Sequence, residues 1–414
     1  MKGEIIAIGD ELTSGRILNT TSGYAARKLF DAGYSIHAMS TIGDKPRLIE
    51  EALLRAIKKV DFIIVTGGLG STDDDLTNEA VSQALNRPTI PNLEILALIR
   101  THLEARGESP GSTLEKLAWL PRGAEAFDPQ SRVAGYQLIH DDTPIFFLPG
   151  VPSEMQELMT TTVLPRLAAW AAGPRLKTCQ RVFKIFGLSE PNVNDIIRSL
   201  DLPKEIIIGY YPVFPDVHLS VLIRERDRKR SVDLFDTSCQ MIKEALGSVI
   251  YGTEEDDLES VVGDLLVRQE KTLALAESCT GGLVSARITK VPGSSRYFTG
   301  SAVTYTNDLK IRFLKIDPLL IEKHGAVSRQ TAEAMAAGIR TLTGSDIGAA
   351  ITGIAGPDGG SDEKPVGTVY IALHCNGRSR VHRHLFSGSR KRIQTLSAHN
   401  CLNMLRLFLK NNDG

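Results

Sequence analysis

At 414 residues the chain is long enough for two to three domains of roughly 150 residues, each with a core of its own. Lysine plus arginine (48) nearly balance aspartate plus glutamate (49), so no overall field favours nucleic acid or an anionic membrane. The apolar runs are strand-sized, Met1–Asp10 reads as a strand and its turn rather than a signal peptide, and five scattered cysteines lack any Cys-x-x-Cys pair; a cytoplasmic protein without disulfides or structural zinc is expected.

Residues 4–8 read as a strand, 21–32 as a helix, 35–42 as extended, 47–59 as a helix and 61–65 as a short apolar strand. In the run Val65-Thr66-Gly67-Gly68-Leu69-Gly70-Ser71-Thr72-Asp73-Asp74-Asp75-Leu76-Thr77, the glycines permit close backbone approach. Its three aspartates either decorate a helix N-terminus or hold a divalent cation that bridges a pyrophosphate. Gly9-Asp10 and Gly43-Asp44 each stand at a strand end. A strand over 144–148 and a helix over 152–170, with Pro152 in first position, follow. Short apolar strands between amphipathic helices predict an α/β domain over 1–172, its parallel sheet covered on both faces.

Ala171-Ala172-Gly173-Pro174 reads as a hinge. A small α+β module over 175–252 is expected next: extended over 178–186, helical over 190–199, extended over 206–209. Val217, Leu219, Val221 and Ile223 then alternate with less apolar neighbours, the period of a strand with one buried face. The mixed-charge run Arg224–Arg230 reads as a solvated strand end and turn. The module lacks a Gly-x-x-Gly loop, so it is expected to join domains or mediate self-association rather than bind nucleic acid.

The acidic cluster Thr253–Asp257 opens a helix, and βαβ patterning returns over 253–414, where the apolar pattern is complete by itself. Strands are predicted over 272–276, 302–305, 347–351, 368–374 and 381–386, and helices over 281–289, 329–342 and 390–409. Ala276-Glu277-Ser278-Cys279-Thr280-Gly281-Gly282 lies where a strand gives way to a helix. Ser278 there either caps the helix or serves as a nucleophile facing free backbone amides. Cys279 is a rival without a histidine nearby in sequence. Ser301–Lys310 brings Tyr305 and Lys310 to the same sheet end if the strands are parallel, and Lys310 as a base would need desolvation. The Gly-rich stretch Ala350–Gly360 carries Thr352 to a third strand end, where open α/β sheets bind ligands.

Ala276–Gly282, Val303–Lys310, His324–Ser328 and Thr352–Lys364 closely resemble the PncC family of nicotinamide mononucleotide deamidases. The whole chain resembles the CinA (competence/damage-inducible) family, in which that domain follows a molybdopterin-binding-like domain and a small KH-type domain. The resemblance implies an α/β fold: a three-layer molybdopterin-binding-like domain over 1–172, a small α+β KH-type domain over 175–252 and an α/β amidohydrolase domain over 253–414. It implies that Ser278 attacks the carboxamide and that Lys310 takes its proton, with Tyr305 positioning or relaying it. Amides near Thr280, with Thr352, would stabilise the oxyanion. Thr280, Gly281, Gly282, Gly353, Ala355, Gly356 and Arg390 would bind substrate, and the amidase would need no metal.

For the N-terminal domain the resemblance implies a ligand site of Asp10, Asp44, Thr66, Gly67, Gly68, Gly70, Thr72 and Thr77. Asp74 and Asp75 would hold a divalent metal ion for ADP-ribose hydrolysis. Two departures weaken that expectation: Ser71 replaces the usual Pro, and Ser131–Gln137 replaces the usual Asn-x-x-Gly-x-Ala-Pro-Gly stretch. The expected partners are nicotinamide mononucleotide, ADP-ribose and a second copy of the chain in a homodimer, with no nucleic acid or membrane. Two readings compete: ADP-ribose pyrophosphatase as the main activity, or a non-catalytic, competence-related nucleotide-binding protein.

Overall fold

Eight strands build the N-terminal domain in the computed structural model, which describes residues 1–107, 111–128, 134–170, 177–225 and 228–411. They are β1 (Lys2–Ile8), β2 (Ser35–Ile42), β3 (Phe62–Thr66), β4 (Thr89–Pro91), β5 (Trp119–Pro121), β6 (Glu125–Ala126), β7 (Tyr136–His140) and β8 (Thr143–Leu148). Six form one sheet in the order β2-β1-β3-β8-β7-β6, parallel through β8 and antiparallel beyond, while β4 and β5 make a separate ribbon. The helices are α1 (Asp10–Thr13), α2 (Thr20–Asp31), α3 (Pro46–Ile57), α4 (Thr77–Ala84), α5 (Leu93–Ala105), α6 (Pro152–Leu158) and α7 (Leu164–Trp170). Strand β3 is apolar throughout because both its faces are covered. Ile63 and Val65 pack with Ile49, Leu53 and Val81 on one side, Phe62 and Ile64 with Leu29 and Met155 on the other. The helix expected over 152–170 passes through one π-helical stretch, Met159–Val163.

The middle domain comprises β9 (Lys177–Ile185), α8 (Glu190–Arg198), β10 (Ile206–Val213), β11 (Asp216–Glu225), α9 (Arg228–Leu246) and β12 (Ile250–Thr253). Its sheet runs β10-β11-β9-β12, and the inward Leu219, Val221 and Ile223 meet Val193, Ile197, Phe235 and Ile242. The solvated turn expected over 224–230 is a misreading of its second half: α9 begins at Arg228. Its buried stripe Phe235, Cys239, Ile242 and Leu246 has helical spacing, and the charge run ahead of it hides the start.

The C-terminal domain carries α10 (Leu258–Arg268), β13 (Leu273–Glu277), α11 (Leu283–Thr289), β14 (Phe298–Val303), α12 (Asn307–Leu314), α13 (Pro318–His324), α14 (Arg329–Thr343), β15 (Ile347–Gly353), β16 (Thr368–Cys375), β17 (Arg378–Leu385) and α15 (Arg390–Lys410). The sheet order is β14-β13-β15-β16-β17, with β13 parallel to β14 and β15, and β16 and β17 antiparallel. The parallel trio brings the ends of β13, β14 and β15 to one edge. Strand β13 alternates in size: Leu273 and Leu275 fill the core under α10 and α15, whereas Ala274 and Ala276 leave room for Met335 and Ile339 of α14.

The chain divides into two units, residues 1–178 with 225–227 and residues 179–224 with 228–414. The middle and C-terminal domains therefore belong together. Phe186 and Tyr251 sit in the core cluster of α10 and α15, and buried Arg406 of α15 donates to Ser248 O (2.7 Å). A pattern that reads as complete over 253–414 is closed by upstream residues. The hinge expected at 171–174 and residues 131–133 of the altered loop lie outside the described residues. No described helix is long and apolar enough to cross a membrane.

Candidate active site

At the end of β13 the Ser278 N–H donates to Ile351 O of β15 (3.0 Å), and the chain turns through Cys279–Gly282 into α11. The turn needs Gly281 and Gly282, whose φ values of +63° and +97° lie in the left-handed region that side chains disfavour. Glu277, 1 % exposed, closes it from inside. Its carboxylate accepts from the N–H groups of Gly282 (3.0 Å), Val284 (3.2 Å) and Ser285 (2.9 Å), and from the Ser285 hydroxyl. Those are the orphan donors of a helix start. Glu277, not Ser278, thus satisfies the start of α11, which removes the capping explanation for Ser278. Sequence reading assigned Glu277 no role.

Lys310 reaches Ser278 from α12. Its Nζ lies 3.2 Å from Ser278 Oγ, 2.7 Å from Thr304 O and 3.5 Å from Tyr305 O. It is 1 % exposed and, among the described residues, has no carboxylate partner. Burial pushes its pKa down to about 8, so a useful fraction is neutral near physiological pH. A neutral lysine in contact with a serine hydroxyl has the arrangement in which a general base could take the proton of a nucleophile. Cys279 is excluded by the same burial, which pushes its thiol up to about 12.

The other expected residues converge with amended roles. Tyr305 is 54 % exposed, and its hydroxyl accepts from Arg390 Nη2 (2.7 Å); only its backbone oxygen approaches Lys310. The Tyr305 hydroxyl is therefore engaged with Arg390 and not with Lys310. Arg390 also donates to Gly356 O (2.8 Å), tying the Gly-rich loop to the rim formed by Tyr305. The Thr352 hydroxyl donates to Ala326 O (2.8 Å), so its proton is spent on a neighbouring loop, and the expected oxyanion donation from it is not formed. Among the described residues, the buried hydroxyls of Thr280 and Thr304 find no hydrogen-bond partner. Thr304 was not anticipated; its carbonyl bond to Lys310 depends on tertiary folding. Gly353, Ala355 and Gly356 border the same edge, held by Ile354 N–H to Thr368 O (2.9 Å).

In the N-terminal domain, the ends of β1 and β2 bring Asp10 and Asp44 together. Asp10 N–H donates to Asp44 Oδ2 (2.7 Å), and Asp44 N–H to Asp10 Oδ1 (3.2 Å). Burial, with the charges of Asp10, Glu11 and Asp74 behind it, raises the Asp44 pKa. After β3, Gly67 packs so tightly that a Cβ would stand 2.2 Å from Ile8 O. Thr66 Oγ1 donates to Pro149 O (2.9 Å) and Thr77 Oγ1 to Gly67 O (3.0 Å), so both hydroxyls brace the loop. Asp75 accepts from the Thr72 N–H (3.0 Å) and hydroxyl beside Gly70, while Asp74 is exposed. Among the described residues no three His, Cys, Asp or Glu side chains gather as metal ligands. Of the carboxylates named for a cation, Asp75 spends its Oδ2 on its own turn.

Fold and site define a chain of three parts: a glycine-looped α/β domain, a small α+β domain, and an α/β domain with a serine–lysine pair at its sheet edge. The family descriptions that match agree part by part: "Probable molybdopterin binding domain" over residues 4–169, "Damage-inducible protein CinA KH domain" over 180–252 and "CinA C-terminal domain" over 255–409. A CinA-like protein of Desulfotalea psychrophila is 58% identical over 406 residues, 98% of each chain, and one of Geobacter sulfurreducens is 38% identical over 408, again 98% of each. Among solved structures, a competence/damage-inducible protein of Agrobacterium tumefaciens is 37% identical, covering 37% of this chain and 93% of its own, with a TM-score of 0.36. The chain belongs to the CinA family.

Proposed function

We propose that the C-terminal domain is an amidohydrolase that converts nicotinamide mononucleotide to nicotinate mononucleotide and ammonia. One observation carries this reading: a buried lysine of lowered pKa, in hydrogen-bond contact with a serine at the mouth of a parallel sheet. Neutral Lys310 accepts the Ser278 proton as Oγ bonds to the carboxamide carbon. Lys310 then returns that proton to the departing nitrogen, and ammonia leaves an acyl-serine. Water, deprotonated by the same lysine, hydrolyses the ester. The exposed Arg390 guanidinium at the rim suits a phosphate. The choice of nicotinamide mononucleotide among amides rests on the motif resemblance.

For the N-terminal domain the close-packed Gly67 loop supports a nucleotide-binding role. A single experiment tests both domains. The protein is incubated with nicotinamide mononucleotide and, separately, with ADP-ribose, with and without divalent cations, and ammonia and AMP are measured. Ammonia from the first, insensitive to chelator, is expected; its absence sinks the amidase. Chelator-sensitive AMP release would instead give the N-terminal domain the pyrophosphatase activity.

A further inference from the structure

Helix α15 touches the nucleophile turn through a contact the mechanism above leaves unused. Gln394 Nε2 donates to the carbonyl oxygen of Cys279 at 2.8 Å. Residues four apart share a helix face, so Gln394 lies one turn behind Arg390 on the side of α15 that meets the site. The backbone donors of the turn can be accounted for one by one. The Ser278 N–H goes to Ile351 O, Gly281 N–H to Ser278 O and Leu283 N–H to Thr280 O, while Glu277 takes those of Gly282, Val284 and Ser285. The Cys279 amide faces its own thiol, and among the described residues the amide of Thr280, a buried residue, finds no acceptor. An idle buried N–H is costly, and one beside a nucleophile is where an acceptor would be received.

A trans peptide is planar and holds its C=O and N–H antiparallel. The Cys279 carbonyl and the Thr280 N–H belong to one such unit, so holding the carbonyl from α15 aims the N–H the opposite way. We propose that Gln394 is a positioning residue that presets the Thr280 amide as donor to the oxyanion formed when Ser278 attacks; this rests on the amidase reading. Gln394 itself does not touch substrate. Without its bond the peptide unit swings about its flanking torsions and must be re-aimed at each turnover, a cost that falls on the transition state rather than on binding.

The test uses two full-length variants. Gln394→Met keeps the length and removes the donor; Gln394→Glu keeps the shape and sets an oxygen against Cys279 O. In each, kcat with nicotinamide mononucleotide should fall about ten-fold or more while KM stays within about two-fold. A second readout is independent of the substrate: labelling of Ser278 by a fluorophosphonate, followed by mass spectrometry. There the Oγ–P bond forms, P–F breaks with loss of fluoride, the serine proton passes to Lys310, and the phosphoryl oxygen occupies the oxyanion position. Its rate should fall in parallel. Arg392→Ala is the control, since Arg392 stands two residues from Arg390, on the far face of α15 over the Phe214 ring (4.2 Å), and should label at the wild-type rate.

Unchanged kcat and labelling in both Gln394 variants would overturn the positioning role. So would a raised KM at constant kcat, or a loss that merely tracks the fraction unfolded in a thermal melt. Wild-type protein labelled at Ser278 but inert toward nicotinamide mononucleotide would overturn the substrate reading alone, with the labelling rates still deciding on Gln394. Failure of both in wild type would remove the nucleophile and the proposal together.

Discussion

In the proposed amidase Lys310 is the residue on which the chemistry turns, and its burial has a direct pH consequence. A base with a pKa of about 8 is mostly protonated below that value, so kcat/KM should fall about ten-fold per unit on the acid side and level off above it. A flat profile from pH 6 to 9 would contradict the assignment. Lys310→Arg keeps the charge but cannot shed it at neutral pH, so ammonia release should be nearly lost. Ser278→Ala should lose it as well, whereas Cys279→Ala should keep most of it, because that thiol is held protonated. Tyr305→Phe separates two roles. Its hydroxyl meets Arg390 and not Lys310, so KM should rise by up to about ten-fold with kcat near wild type. A collapse of kcat would restore the proton relay.

The elements explain why these side chains meet. Strand β13 delivers Ser278, β14 with the first turn of α12 delivers Lys310, and β15 delivers Thr352; the three strands are parallel neighbours. The turn after β13 rests on Glu277, a buried carboxylate satisfied by backbone amides. Glu277→Gln sets an amide group against one of those donors, so it should cost about 2 kcal/mol and lower the melting temperature measurably. Unchanged stability would mean that the start of α11 holds without it. In the N-terminal domain, Asp75→Asn should loosen the turn at Thr72 and leave ammonia release untouched, as measured by melting and by the amidase assay.

For the whole molecule the division between 252 and 253 matters. A fragment of 253–414 would lose Phe186 and Tyr251 from its core, leave Arg406 without Ser248 O, and part His399 from Asp216, which lies at 2.9 Å. Removing the partners of a buried charge commonly costs several kcal/mol. A fragment of 179–414 should therefore melt near the full-length unit and keep its kcat, while 253–414 should melt well below it. Equal melting of the two fragments would make the middle domain a mere appendage.

Most elements were legible from periodicity, because β3, β13 and β15 are short and apolar and α3 and α14 are amphipathic. The glycines of the nucleophile turn, Ser278 and Lys310 were legible as well, since tight turns and strand ends leave local marks. What the sequence by itself determined is the inventory: three α/β or α+β segments and the residue types able to do acyl chemistry. Helix α9 was hidden because its charged start resembles a solvated turn. Whether Ser278 caps α11, and whether Lys310 is buried against that serine, was decided by tertiary structure alone. Both depend on partners 32 residues apart and on burial, which depresses a lysine pKa only after β14, α12 and β13 have closed around it. The same holds for Glu277 and Gln394, which hold one turn through contacts 5 and 115 residues long in sequence. Local pattern records which residues face inward; the direction of a single N–H is a property of the packed molecule.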